Sequence, residues 1–300
     1  MKPQIATLFA AAAILAGCVS QSTDHVPTVD ERSVPEIHAV SYQACAEQDV
    51  AFPAPMSDLQ AGLPDGFAPI PFAGDKTGKT GTIVIWSDAC RAGAVDATAQ
   101  VAPGEMWGYL PVTVPSALQD ANVSAYLVVL GAIIAEPSAA AMYHSWGISE
   151  LNLTVGPVSV ATLGDSSSPL RTATADGGDG NFSVAVSSSA AGLTGTFGGG
   201  RVRAFIVGGG QVVGAFDNVW SAYSAMTEQG HSTVQFQGPK ETFMGLATTT
   251  SAYPGVGNVL SGINYSNQLV HLAAGTTASV QAPPPATPSA AAHHLKALVF

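Results

Sequence analysis

The sequence predicts a mainly β fold (β-rich α+β): a single antiparallel domain, barrel-like or strongly bent, with one or two short helices. Runs rich in β-branched and aromatic residues recur along the chain, and clusters of Gly, Pro, Asn or Asp separate most of them. Two such clusters, 176–181 and 208–210, are typical of hairpin turns because their residues tolerate positive φ. The predicted strands are 80–86, 106–114, 123–135, 151–163, 182–187, 201–207, 211–220 and 232–237.

One segment has the pattern of a short helix. Residues 137–147 begin with Pro137, continue with alanines and end at Gly147, and this is the order of residue types that a helix favours. A second helix is predicted around residues 256–272, although the glycines in that segment weaken the pattern.

The N-terminus has the features of a secretion signal over residues 1–17. Lys2 precedes an apolar run that is too short to span a bilayer, which needs about 20 apolar residues. The following Leu15-Ala16-Gly17-Cys18 resembles the lipobox of bacterial lipoproteins. The resemblance implies that Cys18 is acylated, with palmitate among the acyl chains, and anchors the protein to a membrane. The alternative is an ordinary signal peptide that contains a cysteine.

The remaining chain divides by composition into three parts. Residues 18–36 are polar and without periodicity, and we interpret them as a lipidated, flexible stalk. Residues 37–280 form the predicted β domain, and residues 281–300 form a Pro/Ala-rich tail. Val19 follows the cysteine, where inner-membrane lipoproteins often carry an aspartate. This favours the outer membrane or its periplasmic face over the inner membrane.

The charge of the chain excludes some partners. The formal net charge is −11, and only 10% of residues are charged. An acidic chain without a basic cluster repels phosphate backbones, so nucleic-acid binding is not expected.

Two cysteines remain when Cys18 is assigned to lipid. Outside the cytoplasm, Cys45 and Cys90 are expected to form a disulfide, which would close a loop of about 45 residues. The alternative is a pair of buried thiols.

No local motif identifies a catalytic residue, a metal or a cofactor. Residues 73–80 match a loose phosphate-loop pattern but lead into a strand rather than a helix. The serine-rich segment 164–169 has no associated general base, and the acidic turn 176–181 lacks the distal glutamate of a calcium loop. The histidines show no ligand spacing. We therefore predict no cofactor and no metal.

Aromatic and polar residues on or beside the predicted strands define a candidate pocket. Most of the aromatics are explained by core packing, but a barrel lined with them and carrying polar groups at its mouth would bind a small molecule. The candidate pocket residues are Glu105, Trp107, Tyr109, His144, Arg201, Arg203 and Trp220.

One further resemblance comes from the start of the domain. Leu63-Pro64-Asp65-Gly66-Phe67 precedes three strands and the helix at 137–147, and this order is similar to that of acetoacetate decarboxylase-like β-barrel proteins. The resemblance covers residues 60–220 and implies a cone-like barrel with an internal pocket. Its decarboxylase members use a Schiff-base lysine beside a second lysine. This chain has no adjacent lysines, and Lys240 stands beside Glu241, so decarboxylation is not implied.

These observations lead to one leading hypothesis and two alternatives. The leading hypothesis is a cell-envelope lipoprotein whose barrel binds a small, partly apolar molecule without assigned catalysis. The first alternative is an enzyme of acetoacetate decarboxylase-like fold with divergent chemistry. The second is a structural or adhesive surface domain with a solid core. The ligand and the oligomeric state are not encoded in any recognisable motif.

Overall fold

The structure, a computed structural model, describes residues 38–100, 103–146, 152–163, 170–176, 183–189, 193–221, 223–227, 231–237, 252–270 and 272. Within these residues, no helix has the length and hydropathy needed to cross a membrane. The helical elements are α1 (Met56–Gln60), α2 (Pro137–Ser145) and a 3-10 turn at Ser116–Leu118. The strands are β1 (Ala39–Pro55), β2 (Ala68–Pro69), β3 (Thr80–Ala89), β4 (Ala92–Val95), β5 (Thr98–Ala99), β6 (Gly104–Thr113), β7 (Ala125–Ile134), β8 (Asn152–Val155), β9 (Val158–Leu163), β10 (Leu170–Asp176), β11 (Ser183–Ser189), β12 (Leu193–Phe197), β13 (Gly200–Gly208), β14 (Gln211–Trp220), β15 (Tyr223–Thr227), β16 (His231–Gln237) and β17 (Ala252–Leu269).

Seven of these strands close into a barrel. The hydrogen-bonded order is β1–β3–β6–β7–β13–β14–β17, and β17 returns to pair with β1. All pairs in this ring are antiparallel except β7 with β13, which is parallel. The mainly β, barrel-like fold predicted from the sequence is therefore confirmed.

Two apolar cores lie on the two faces of the barrel wall. Side chains alternate between faces along a strand, so one set points into the barrel and the other points outward. The interior set includes Trp107, Tyr109 and Phe216. The outward set, which includes Ile85 and Met106, packs together with residues of β9, β10 and β16. Strands β9–β10–β11–β16 continue from β17 and form this second layer.

Several predicted elements are confirmed with small changes of boundary. The predicted helix at 137–147 is α2, and Pro137 occupies its first turn. The triple-glycine turn joins β13 to β14, with φ of 59° at Gly209 and 75° at Gly210, as a two-residue hairpin requires. The predicted strand at 151–163 is two strands, β8 and β9, which are interrupted at Gly156 and Pro157. Proline has no backbone N–H to donate to a neighbouring strand.

The second helix predicted around 256–272 is wrong. This segment belongs to β17, which pairs with β1 at eleven positions and whose side chains at Ile263, Tyr265 and Asn267 alternate toward the interior. Pairing along the strand decides its conformation, because isolated helix propensity is weak in a glycine-containing segment. The other helix is instead α1, which directly follows β1.

Several predicted features lie outside the described residues. These are the signal peptide, Cys18, the stalk up to residue 36, the tail from residue 281, the serine-rich segment 164–169 and Lys240. Of the acidic turn 176–181, the structure describes only Asp176, which pairs with Ser183 across β10 and β11.

Candidate functional site

A row of carboxyl groups crosses three adjacent barrel strands. Glu47 of β1 pairs in register with Asp88 of β3, and Asp88 pairs with Glu105 of β6. Asp49 lies two residues along β1 and therefore on the same face. All four side chains are buried, with relative exposures of 0–3%. We call these four residues the interior carboxyl cluster.

The interior carboxyl cluster faces the inside of the barrel because it shares the strand alternation of the interior aromatics. Asp49 pairs with Trp86, and Trp86 pairs with Trp107 in the next row of the sheet. Directly opposite side chains on one face have Cβ atoms about 4.5–5.5 Å apart. The carboxyl row and the tryptophan row are thus adjacent stripes on one interior wall.

Five neutral donors converge on the carboxylate of Glu105. Asn267 also donates to the hydroxyl of Tyr143, at 2.6 Å, so the donors are themselves linked. A carboxylate with several hydrogen-bond donors is stabilised in its ionised form. The donors are the hydroxyl of Tyr42, the hydroxyl of Tyr143 at 2.5 Å, Nε1 of Trp107 at 2.7 Å, Nδ2 of Asn267 at 3.2 Å and, more weakly, the hydroxyl of Tyr265 at 3.4 Å.

Helix α2 and the barrel closure supply these donors. The helix begins after Glu136, whose carboxylate accepts a hydrogen bond from the backbone N–H of Ser138, and it places Tyr143 fully inside. Tyr42 and Tyr265 are paired across β1 and β17 with ring centroids 4.9 Å apart. The Glu105 site therefore exists only when the barrel is closed.

Asp88 connects the cluster to the disulfide. The hydroxyl of Tyr265 donates to Oδ2 of Asp88 at 2.6 Å, and Oδ1 of Asp88 lies 3.4 Å from Sγ of Cys90. Cys90 is bonded to Cys45 with an S–S distance of 2.06 Å. The predicted Cys45–Cys90 disulfide is confirmed.

Burial dominates the electrostatics of the cluster. It raises the pKa of Glu105 to about 7, against the opposing effect of hydrogen bonds from Tyr143 and Tyr42. Burial also raises the pKa of Asp88, and the charge of Glu105 adds to this. The pKa of Asp49 rises to about 8 through burial, and burial followed by the charge of Asp49 raises the pKa of Glu47. The cluster thus takes up protons near neutral pH.

Two members of the cluster have oxygen atoms without a hydrogen-bond partner. These atoms are Oε2 of Glu47 and Oδ1 of Asp49, and both are inaccessible to solvent. Most buried polar atoms in native proteins are paired, so such atoms need an explanation. Glu105 and Asp88 are satisfied by protein donors. Glu47 and Asp49 share a side-chain hydrogen bond, and Trp86 hydrogen-bonds to Glu47, so only one oxygen of each carboxyl lacks a partner.

The structure brings three of the seven predicted pocket residues together. Glu105, Trp107 and Tyr109 alternate along β6 and face the interior, where the indole of Trp107 stacks with the ring of Tyr109 at 5.8 Å. His144 is exposed on α2. Trp220, at the end of β14, is half-buried beside the interior core.

The other two predicted residues, Arg201 and Arg203, lie on the outward face of β13. Arg203 makes two hydrogen bonds to the Asp217 carboxylate, at 2.7 and 3.0 Å, and contacts Asp120 at 3.3 Å. Arg201 lies 3.6 Å from Asp217. These arginines neutralise an outward-facing carboxylate and do not join the interior carboxyl cluster.

Sequence reasoning missed most of the site. The missed residues lie on β1, β3, β17 and α2. The spacing of Glu47 and Asp49 could have indicated part of the site, because two acidic residues separated by one position in an extended segment lie on the same face. The missed residues are Tyr42, Glu47, Asp49, Asp88, Tyr143, Tyr265 and Asn267.

Metal binding has little support in the described part of the chain. The one group of three ligand atoms that lie within 4.8 Å of one another is formed by Cys45, Asp88 and Cys90. Its two sulfur atoms are joined in the disulfide and do not provide thiolate ligands. The described lysines, Lys76 and Lys79, precede β3 and lie outside the barrel interior.

Comparison with known proteins shows similarity to solved structures that include two enzymes. The enduracididine biosynthesis enzyme MppR, complexed with the condensation product of pyruvate and imidazole 4-carboxaldehyde, has a TM-score of 0.48 and 14% identity, and the match covers 85% of this chain and 95% of that one. An acetoacetate decarboxylase-like enzyme from Sphingomonas wittichii RW1 has a TM-score of 0.41 and 12% identity, with 78% and 89% covered. No family model matches, and no curated protein is detectably similar in sequence. Because the identities and TM-scores are low, neither match assigns an activity to this chain.

Proposed function

We propose that the barrel interior binds a small, partly apolar molecule. The observation that carries this proposal is the interior carboxyl cluster beside a wall of tryptophan and tyrosine rings, with two carboxyl oxygens that no protein group satisfies. Apolar surface with a few convergent polar groups is the usual composition of a ligand site. A solid structural domain gains nothing from burying four carboxyls in one row, because each costs desolvation energy.

Binding of a neutral fluorescent probe tests this proposal. N-phenyl-1-naphthylamine should bind with a saturable 1:1 fluorescence increase. Ala132→Val places two extra carbons beside Trp107 on the interior wall and should weaken binding at least fivefold. Val213→Ile enlarges a side chain that is 49% exposed and should change nothing. Absence of saturable binding, or equal affinity in the Ala132→Val protein, would favour the structural alternative.

Catalysis is a second candidate function because of Glu105. A carboxyl with a pKa of about 7, in contact with the hydroxyls of Tyr42 and Tyr143, has the proton affinity that general acid–base chemistry needs near neutral pH. Any turnover should follow the ionisation of Glu105 and be lost in Glu105→Gln. Retention of turnover in that variant would exclude this role. Borohydride trapping of a substrate on Lys240 would instead indicate Schiff-base chemistry.

We also propose that acyl chains on Cys18 tether the domain at the cell envelope, with residues 18–36 as the stalk. The lipobox-like Leu15-Ala16-Gly17-Cys18 supports this. An alkyne analogue of palmitate should label the protein and partition it with membranes. Cys18→Ser should abolish both the label and the membrane partition. Labelling that survives this substitution would contradict the anchor.

A further inference from the structure

Strand β1 contains an extra residue between Tyr42 and Cys45. Tyr42 pairs with Tyr265 of β17 and Cys45 pairs with Ile263, so three steps along β1 match two steps along β17. An extra residue of this kind is a β-bulge. We call residues 43 and 44 the β1 bulge, and both of them are exposed.

The β1 bulge changes which residues of β1 face the interior. In a regular strand, side chains five positions apart point to opposite faces of the sheet. Tyr42 and Glu47 are five positions apart, yet both are buried on the interior side. There the Tyr42 hydroxyl donates to the Glu105 carboxyl. In this chain, Tyr42 and Glu47 therefore share the interior face because the bulge lies between them.

Contacts on both sides of the β1 bulge hold it in place. The backbone N–H of Ala44 donates to Oδ1 of Asn264 on β17, at 2.9 Å. The carbonyl of the preceding residue accepts a hydrogen bond from the backbone N–H of Arg91, at 3.1 Å. The disulfide ties the following residue, Cys45, to the chain directly after β3. The bulge is thus fixed against both neighbours of β1 in the barrel.

Ala44 has a left-handed backbone conformation, with φ of 52°. This conformation is unfavourable for a residue that has a Cβ atom, and most of all for a β-branched residue. The side chain of Asn264 compensates in part, because it gives the Ala44 N–H a fixed acceptor. Both residues are exposed, yet they lie at the point of β1 that decides where Tyr42 is aimed.

We propose that Ala44 and Asn264 are positioning residues that aim the hydroxyl of Tyr42 at the carboxyl of Glu105. This inference rests on the second candidate function, acid–base chemistry by Glu105, and names residues that adjust it from outside the barrel. Both residues act through Tyr42, whose hydrogen bond favours the ionised carboxylate. Distortion of the β1 bulge removes this donor and makes Glu105 harder to ionise.

The position of Tyr42 separates its contribution from those of the other groups. Burial raises the pKa of Glu105 to about 7, and hydrogen bonds from Tyr143 and Tyr42 oppose this rise. Tyr42 precedes the β1 bulge, whereas the acids of β1 follow it beyond the disulfide. The other ionisable groups on this interior wall are Glu47 and Asp49 on β1, Asp88 on β3, Tyr109 on β6, Tyr143 on α2 and Tyr265 on β17.

The titration of Glu105 tests the inference without a substrate. The NMR signal of its carboxyl carbon, assigned by its loss in Glu105→Gln, gives the midpoint in the full-length protein with the disulfide intact. Tyr42→Phe should raise this midpoint by about one pH unit, which is the effect of one hydrogen bond to a charged group. Ala44→Val and Asn264→Leu should each raise it by at least about 0.3 pH unit, a twofold change in proton affinity. Asn264→Asp keeps the acceptor oxygen and should retain the wild-type midpoint.

A double variant shows whether the β1 bulge acts through Tyr42. In the Tyr42→Phe background, Ala44→Val should raise the midpoint no further, because the donor that it displaces is already gone. Ala92→Val makes the same change at an exposed residue of β4 that pairs with the bulge, and it should leave the midpoint unchanged. An unchanged midpoint in Ala44→Val and Asn264→Leu, or a further rise in the double variant, would overturn the inference.

Failure of this inference and failure of the proposed catalysis give different results. Turnover that survives Glu105→Gln would exclude the catalytic role, whereas the titration midpoints alone decide whether Ala44 and Asn264 position Tyr42. If the Ala44→Val protein does not fold, Asn264→Leu decides the question in the same comparison, because it changes an exposed side chain.

Discussion

Asp217 and Glu105 are both buried in the barrel wall, but they are stabilised in different ways on its two faces. On the outward face, Asp217 receives two hydrogen bonds from the guanidinium of Arg203, at 2.7 and 3.0 Å. On the interior face, Glu105 receives its hydrogen bonds from neutral tyrosine, tryptophan and asparagine groups. One carboxyl therefore has a counter-ion, and among the described residues the other has none.

The difference separates carboxyls that have a counter-ion from carboxyls that have only neutral donors. A bidentate arginine compensates a buried carboxylate and fixes its geometry. Neutral donors leave the proton affinity of a carboxyl to be set largely by burial, which is why the pKa of Glu105 rises to about 7. The outward pair supports the barrel wall, whereas the interior carboxyl cluster has raised pKa values.

Among single substitutions at neutral pH, removal of the outward cation Arg203 should have the largest effect on the free energy of unfolding. Arg203→Met removes both hydrogen bonds to the buried Asp217 carboxylate, leaves only Arg201 at 3.6 Å, and should lower the free energy of unfolding by about 3 kcal/mol in urea titrations. Arg203→Met combined with Asp217→Leu should recover most of the loss, because the uncompensated charge is then gone. A double variant as unstable as the single one would show that packing rather than charge dominates at this position.

The pH dependence of stability should come from the interior face. Glu105 and Asp49 have folded-state pKa values raised to about 7 and about 8, above the usual range of carboxyl groups. The folded state therefore binds more protons than the unfolded state from about pH 4 to about pH 8. The free energy of unfolding should fall as pH rises through this window, by up to about 1.4 kcal/mol per pH unit for each group.

Asp49→Asn isolates one contribution to this slope. The variant should show a flatter profile than the wild type in urea titrations between pH 4 and pH 8, since an amide does not titrate. Asp65→Asn, which changes an exposed carboxyl, should keep the wild-type slope. Identical slopes in all three proteins would contradict the assigned role of Asp49.

Two tyrosine-to-phenylalanine substitutions, one on each face of the barrel wall, should have the smallest effects on the free energy of unfolding. Tyr143→Phe removes a donor to the Glu105 carboxyl and should cost about 2 kcal/mol, as expected for a hydrogen bond to a charged group. Tyr126→Phe removes a hydroxyl that accepts the Asp120 backbone N–H at 2.6 Å and should cost about 1 kcal/mol. Thermal unfolding of both variants measures which substitution destabilises the protein more. A larger loss of stability in Tyr126→Phe than in Tyr143→Phe would contradict this prediction.

The elements that sequence reasoning found are those with strong local patterns. The central strands, helix α2 and the hairpin at Gly209 and Gly210 all have residue types that favour their conformation without tertiary help. Among the seven barrel strands, the two that it missed are β1 and β17, the pair that closes the barrel. β1 contains buried acids and two prolines, and β17 is rich in Gly, Asn and Ser, so neither resembles an apolar strand.

The candidate site shows the same division. Glu105, Trp107 and Tyr109 alternate along one predicted strand, so their common face follows from the sequence. Arg203, also predicted for the pocket, turned out to be on the opposite wall face, because the register of β13 with β14 places it beside Asp217. No single-strand pattern encodes that register.

The sequence alone therefore determined the β-rich class, the partners in the disulfide and one stripe of the interior wall, because each depends on local periodicity or on a small number of cysteines. Only the tertiary structure brought Glu47, Asp88 and Glu105 into one row, because cross-strand register depends on residues far apart in the chain. Closure of β1 on β17 then buried that row, and burial raised its proton affinity.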